Sequence, residues 1–265
     1  MTARLAEVLA DLAAEGDQLE ALVAPLDEQG WRTPTPAAGW SVAHQVAHLA
    51  WTDEAAVAAA TNKEAWDTLV LAALANPEGF ADDEAARGAA APAAEILARW
   101  RSSRRRLAET LAALPEGTRL PWYGPPMSAT SMATARFMET WAHGRDVADA
   151  LGVTLPADDR VRHVVHLGVR TRDFAFGSRG LDAPDEEFRV SLVLPGGSVL
   201  EYGPPEAAQT VTGSAYDFAL LVTQRVHRDD TDLVATGADA ERWLGIAQAF
   251  AGPPGGGREA VGSGG

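Results

Sequence analysis

The chain has 265 residues, no cysteine, and 37 acidic against 22 basic side chains, for a formal net charge of −15. That length buries a sizeable core without staples, and the missing cysteines exclude a disulfide framework, a thiolate-ligated metal and a cysteine nucleophile. Any thiol used here comes from a separate molecule. So acidic a chain repels phosphate backbones and anionic lipid, which argues against nucleic-acid and membrane partners. The opening MTARLAEVLADLAAEGD lacks the basic start and apolar middle of a signal peptide. No apolar run approaches the roughly 20 residues that span a bilayer. A cytoplasmic protein, monomer or homodimer, is expected. Lys63 is the only lysine, and alanine, glycine and arginine dominate, the composition expected of a high-GC, actinobacterial genome.

In chain order, residues 3–24 place Leu5, Val8, Leu9, Leu12, Leu19, Leu22 and Val23 at spacings near three and four, the stripe of an amphipathic helix. Ser41 is a good N-cap for a second helix that runs to about Ala60. Residues 63–92, interrupted by Pro77 and Gly79, read as a short helix and loop. A third long helix is predicted from Ala93 to Leu114, stopped by Pro115-Glu116-Gly117, and a fourth from Ser128 to Leu151-Gly152. Four long helices in succession predict a bundle. Beyond it, one helix is expected over 157–176, a hairpin from 188–194 and 199–203, and two further strands, 209–213 and 231–236, each followed by a helix, 214–226 and 238–250. The fold class expected is α+β: a helical bundle over 1–155, a small α+β domain over 156–252, and a disordered tail over 253–265 whose GPPGGGREAVGSGG buries too little to fold.

The chemistry concentrates in two helices. Glu139, His143 and Asp146 share one face of the fourth, in a segment otherwise made of core residues. His44 and His48 stand at i, i+4 in the second. A buried carboxylate beside an imidazole is costly unless the two pair or hold a metal, and helices of a bundle converge their ligands on the core. One of the two helix-two histidines with Glu139 and His143 makes a two-histidine, one-carboxylate set with open positions, which suits catalysis rather than structure. Spacing alone does not choose between His44 and His48, and an exposed i, i+4 pair is an equally ordinary reading of Glu139 and His143.

The stretch Gly39-Trp40-Ser41-Val42-Ala43-His44-Gln45-Val46-Ala47-His48-Leu49 resembles the segment GW-[ST]-V-x-x-x-V-x-H-L of the DinB-like metal-binding bundle superfamily, in its mycothiol-dependent maleylpyruvate isomerase branch. Glu139, His143 and Asp146 match its second element, E-x-x-x-H-x-x-D. Val222-Thr223-Gln224-Arg225 and Ile246 to Pro254 look like an actinobacterial subgroup that carries a sterol-carrier-like domain after the bundle. The resemblance implies that His48, Glu139 and His143 ligate a divalent ion, most commonly zinc. It further implies that the ion activates a low-molecular-weight thiol, mycothiol, for isomerisation or S-transfer on a small anionic substrate. Two other readings stay open: a metal-dependent hydrolase working through activated water, and a non-enzymatic metal-containing binder of a small ligand.

Around that set, Asp146 is placed to accept the second N–H of His143, or to pair with a neighbouring arginine. His44 reads as a pocket-lining histidine, and for hydrolysis either of these two is the candidate base. Arg160, Arg162, Arg170, Arg172 and Arg179 cluster near the expected domain boundary. Arg172 and Arg179 are the candidates to hold an anionic substrate or thiol cofactor, against the plainer reading of a neutralised helical face. Arg225 is a separate candidate to reach toward the bundle. His163 and His166 read as satisfied histidines, and His227 as exposed. Trp40, Trp122 and Tyr123 stand where a pocket rim would use them.

Overall fold

A computed structural model describes residues 1–261, and these divide into two compact units, Met1–Leu155 and a second beginning at Pro156. The expected α+β class holds: a helical first unit is followed by a unit built on a small sheet.

The first unit holds α1 (Ala3–Val23), the single turn α2 (Glu28–Trp31), α3 (Val42–Thr61), α4 (Lys63–Ala75), α5 (Phe80–Ala89), α6 (Ala93–Ala113) and α7 (Ala129–Leu151). A two-residue antiparallel ladder joins β1 (Arg119–Leu120) to β2 (Met127–Ser128) between the last two. The long helices α1, α3, α6 and α7 pack on one another as the bundle. Their ends follow from single side chains. Thr2 accepts from the Leu5 N–H at 3.2 Å, and Ser128 from the Ser131 N–H at 3.1 Å. Gly152 closes α7 in the left-handed region (φ 67°), which a glycine enters without a Cβ penalty.

Residues 63–92 differ from expectation, forming two helices instead of one and a loop. Asn62 takes extended backbone, ends α3 and at once caps α4, its Oδ1 accepting from the Ala65 N–H at 3.1 Å. Asn76 repeats the device across Pro77, accepting from Gly79 N–H at 3.2 Å before α5 begins. On α4 only Trp66 is buried and Leu71 and Leu74 are exposed, so its apolar residues do not form one core-facing stripe.

Two apolar clusters make the bundle core. One gathers Leu19, Trp31, Val46, Leu49, Ile96 and Trp100, the other Leu5, Val8, Val57, Leu107, Leu111 and Met132. Burying each such side chain stabilises by about 1.5–3 kcal/mol, enough in sum to offset some buried polarity. That polarity is visible along α3 and α7, where His48, Asp53, Arg136 and Asp146 interrupt the apolar runs and are all buried. Arg136 Nε donates to Asp53 Oδ1 at 3.0 Å, tying α7 to α3. Burial pushes the Asp53 carboxyl up in spite of that partner.

In the second unit the helix expected over 157–176 is broken. A 3-10 turn over Asp159–Val161 leads into α8 (Arg162–Arg170) and α9 (Arg172–Ser178), which part at Thr171. The Thr171 hydroxyl donates to the Gln248 carbonyl at 2.7 Å, anchoring the break. The sheet has the order β4-β3-β5-β6, from β3 (Phe188–Val193), β4 (Val199–Tyr202), β5 (Gln209–Ser214) and β6 (Val234–Thr236). Only β3 and β5 run parallel. Phe188, Val190 and Leu192 alternate inward on β3, and Trp243 of α11 (Ala238–Ile246) meets Phe188 and Phe218 of α10 (Ala215–Val222) at 5.8 and 5.6 Å between ring centroids. The expected strand over 231–236 is shorter because Asp232 turns its Oδ1 to the Ser214 N–H at 2.8 Å. The helix after β5 stops at Val222 because Gln224 adopts a positive φ of 60°. Residues 253–261 form no helix or strand, and Val261 N–H donates to Asp230 at 2.9 Å. The end of the expected disordered tail, 262–265, lies outside the described residues. Among the described residues no helix is long and apolar enough to cross a membrane.

Candidate metal centre

α3 and α7 lie side by side in the bundle and bring three side chains to one point. His48 Nε2 stands 3.4 Å from Glu139 Oε2, and His143 Nε2 3.1 Å from the same oxygen. A ligand atom from each lies within 4.8 Å of the others. Glu139 and His143 share a face because they are one helical turn apart. His48, 8% exposed, meets them from across the interface. Burial works against a charged Glu139, yet hydrogen bonding and charge from His143 and His48 hold its carboxyl well below the usual range.

A chain of hydrogen bonds decides which nitrogen of His143 carries its proton. The Thr35 hydroxyl donates to the Trp40 carbonyl at 2.9 Å, so Thr35 Oγ1 accepts from Gln45 Nε2 at 2.8 Å. That sets the Gln45 amide with Oε1 toward His143 Nδ1, which it meets in a short contact. Gln45 Oε1 thus accepts from His143 Nδ1, which leaves Nε2 to meet the Glu139 carboxylate as a donor when the ring is protonated and as a metal ligand when it is not. An imidazole nitrogen without a proton, set against a carboxylate in this half-buried site, favours a positive charge between them, either a proton or a metal ion. Two imidazole nitrogens and one carboxylate oxygen, with positions left over, fit a catalytic divalent cation of the zinc type.

Aromatic rings wall this point. Trp40 lies nearly parallel to His143, 5.8 Å between centroids at 12°, and 5.3 Å from His48. Its indole N–H donates to Asp82 of α5 at 2.8 Å, which ties the ring to that helix. Trp51 flanks His48 on α3 at 5.7 Å and leads through Phe80 to Tyr123 of the β1–β2 connection.

The other candidates make contacts of their own. His44 is a cap: its Nδ1 accepts from the Ser41 N–H at 3.2 Å and lies 2.9 Å from the Ser41 hydroxyl, so it braces the first turn of α3. Asp146 is buried on α7, and the acceptor that meets His143 Nδ1 is Gln45. Arg172 spends its guanidinium on its own unit, donating to Asp173 at 2.7 Å, to the Glu186 carbonyl at 2.8 Å and to the Pro184 carbonyl at 3.2 Å, over the Phe188 ring. Arg179 donates to the Gly255 carbonyl at 3.1 Å, and Arg225 to the Thr223 carbonyl. Arg172 thus commits all three guanidinium nitrogens within its own unit, and the Arg179 bond holds the segment around Gly255. Gln45 was not anticipated. Its one signal in the sequence is an uncharged amide on the buried face of a helix, three residues before His48.

The family described as mycothiol maleylpyruvate isomerase N-terminal domain matches residues 12–148. An uncharacterised protein of Mycobacterium tuberculosis, in strains CDC 1551 / Oshkosh and ATCC 25618 / H37Rv, is 58% identical over 250 residues, covering 94% of this chain and 97% of the relative. That source agrees with the actinobacterial composition. Among solved structures, the crystal structure of the mycothiol-dependent maleylpyruvate isomerase superposes with a TM-score of 0.59 at 17% identity, covering 89% of this chain and 95% of that one. A histidine-to-alanine mutant of that isomerase superposes equally well, at 16% identity. At such identity the likeness is one of fold.

Proposed function

The chain belongs to the mycothiol maleylpyruvate isomerase N-terminal domain family, and from that premise we propose that it is a divalent-metal-dependent enzyme that activates a low-molecular-weight thiol, mycothiol, for isomerisation or S-transfer on a small substrate. The observation that supports this reading is the convergence of His48, Glu139 and His143, a ligand atom of each within 4.8 Å of the others. A bound divalent ion, zinc by its donor set, supplies Lewis acidity that lowers a thiol pKa and offsets developing negative charge. His48, Glu139 and His143 hold it. Gln45 keeps the His143 proton on Nδ1, so that Nε2 stays a ligand. Trp40 and Trp51 keep water from the histidines on two sides, which lowers the local dielectric. With no cysteine in the chain, the reacting sulfur belongs to the diffusible thiol. Hydrolysis is the weaker reading, since His44, one of its two candidate bases, is spent on the α3 cap.

Metal analysis of the purified protein beside a His48→Ala/His143→Ala variant tests the centre. About one ion per chain is expected in the wild type and none in the variant; equal content in both sinks the reading. Mycothiol should then raise the Tm of the metal-loaded protein and leave the variant unmoved, while glutathione moves neither. A metal-loaded protein indifferent to mycothiol would reject the thiol while keeping the ion.

A further inference from the structure

Away from the triad, the helical unit contains a cavity of about 390 Å³ between α1 and α6. None of the three converging residues lines it, nor do Gln45 or Trp40. Its walls are apolar: Leu9 and Leu12 from α1, Trp100, Leu107 and Ala108 from α6. Leu9 and Leu12 are only partly buried, because the helices do not close over them. At depth the polar residues are Asp53 and Thr140, and both face inward. Asp53 is bonded to Arg136, and the Thr140 hydroxyl donates to the Arg136 carbonyl at 2.9 Å. The volume lies in the range of small-molecule sites.

The mouth is different. Arg101, Arg104 and Arg105 stand there against Asp17 and Glu20. Arg101 pairs with Glu20 at 2.7 Å, and Arg104 with Asp17 at 2.9 Å and with Glu20. Arg104 can lie across α1 because residue 16 is glycine; a Cβ there would come within 2.6 Å of its Nη1. Arg104 also covers the Trp100 ring, 5.1 Å from its centroid. Both acids are thereby used, and Arg105, exposed, makes no ion pair or hydrogen bond among the described residues. One uncommitted cation thus edges an apolar cavity in a chain of net charge −15.

We propose that this cavity is a second ligand site, taking an amphipathic carboxylate with its apolar tail between α1 and α6 and its head on Arg105. The orientation follows from the mouth: the exposed Arg105 guanidinium attracts a carboxylate, whereas Asp53 at the floor is already paired with Arg136. The site does not depend on the metal reading, and it is tested apart from it.

Titration of the full-length protein with hexanoate, octanoate and octanol, followed by calorimetry, decides the matter. Octanoate should bind saturably at one site, roughly fourfold tighter for each CH2 beyond hexanoate, as apolar burial requires. Arg105→Ala should weaken octanoate about tenfold and leave octanol unchanged, since a charge-assisted contact is lost and the cavity is not. Ala108→Trp should abolish both, with the far-UV CD and the metal content of the wild type. Affinity independent of chain length, octanoate binding unchanged in Arg105→Ala, or no saturable binding at millimolar ligand would overturn the proposal. The Arg105 variant alters an exposed side chain and so remains decisive if the tryptophan variant fails to fold.

Discussion

At the scale of single residues, Gln45 stands at the His143 nitrogen for which Asp146 was one candidate acceptor. Asp146 had the right spacing to orient His143, but spacing along α7 says nothing about which side chain of α3 reaches the imidazole first. Gln45 does, and its own amide is held by Thr35 at 2.8 Å. An uncharged acceptor leaves the charge of the triad to the ion. Replacing Gln45 by leucine should remove the acceptor and free the His143 tautomer. Metal affinity is then expected to fall about 10–100-fold, read by competition with a chromogenic chelator. Gln45→Glu keeps an acceptor in place and should retain most of the affinity. Equal losses in the two variants would mean that the residue matters only for packing. Glu139, His143 and a histidine of the second helix were legible as candidates because ionisable groups on apolar helical faces stand out, and only the family resemblance favoured His48 over His44; Gln45 was not legible, because an amide there carries no signal of its partner. The same limit applies to Arg172, whose residue type suggested anion binding while its three nitrogens close a loop.

At the scale of elements, the long helices α1, α3, α6 and α7 follow their apolar stripes and caps to within a residue or two, because Thr2, Ser41, Ser128 and Gly152 act on their own neighbours. What escaped was non-local or doubled: Asn62 ending one helix and starting another, and Thr171 breaking a helix to reach Gln248. His44 belongs with the caps, and its environment makes the start of α3 sensitive to acid. Burial, and next the Arg32 charge, lower its pKa below the ordinary imidazole value of 6.5. A folded-state pKa below the unfolded one means that the contribution is fully present above the unfolded value. It is lost as pH falls through the lowered one, because a protonated Nδ1 no longer accepts from Ser41. Urea unfolding of the metal-free protein should show the wild type about 1 kcal/mol more stable than His44→Ala at pH 8, the scale of a helix cap. That gap should close as the pH approaches 5. A gap that stayed constant over that range would remove His44 from the cap.

At the scale of the whole molecule, chemistry and chain organisation divide at the same place. His48, Glu139 and His143, with Gln45, Trp40 and Trp51, all belong to the unit Met1–Leu155, and the family match, residues 12–148, falls inside it. The second unit has its own sheet and its own core around Phe188, Phe218 and Trp243. Yet the mycobacterial relative matches 94% of the chain, running through both. If the ligands and the groups that orient them are complete in the first unit, residues 1–155 produced alone should be helical and cooperative in unfolding. They should also bind about one divalent ion per chain, lost in His143→Ala. The fragment beginning at Pro156 should bind none. A helical 1–155 fragment that bound no ion would show that the first unit lacks a ligand, and the metal set drawn from α3 and α7 would then be incomplete. Metal retained by 1–155 without any mycothiol-dependent rise in Tm, beside a full chain that shows that rise, would assign the ion to the first unit and thiol recognition to residues beyond it.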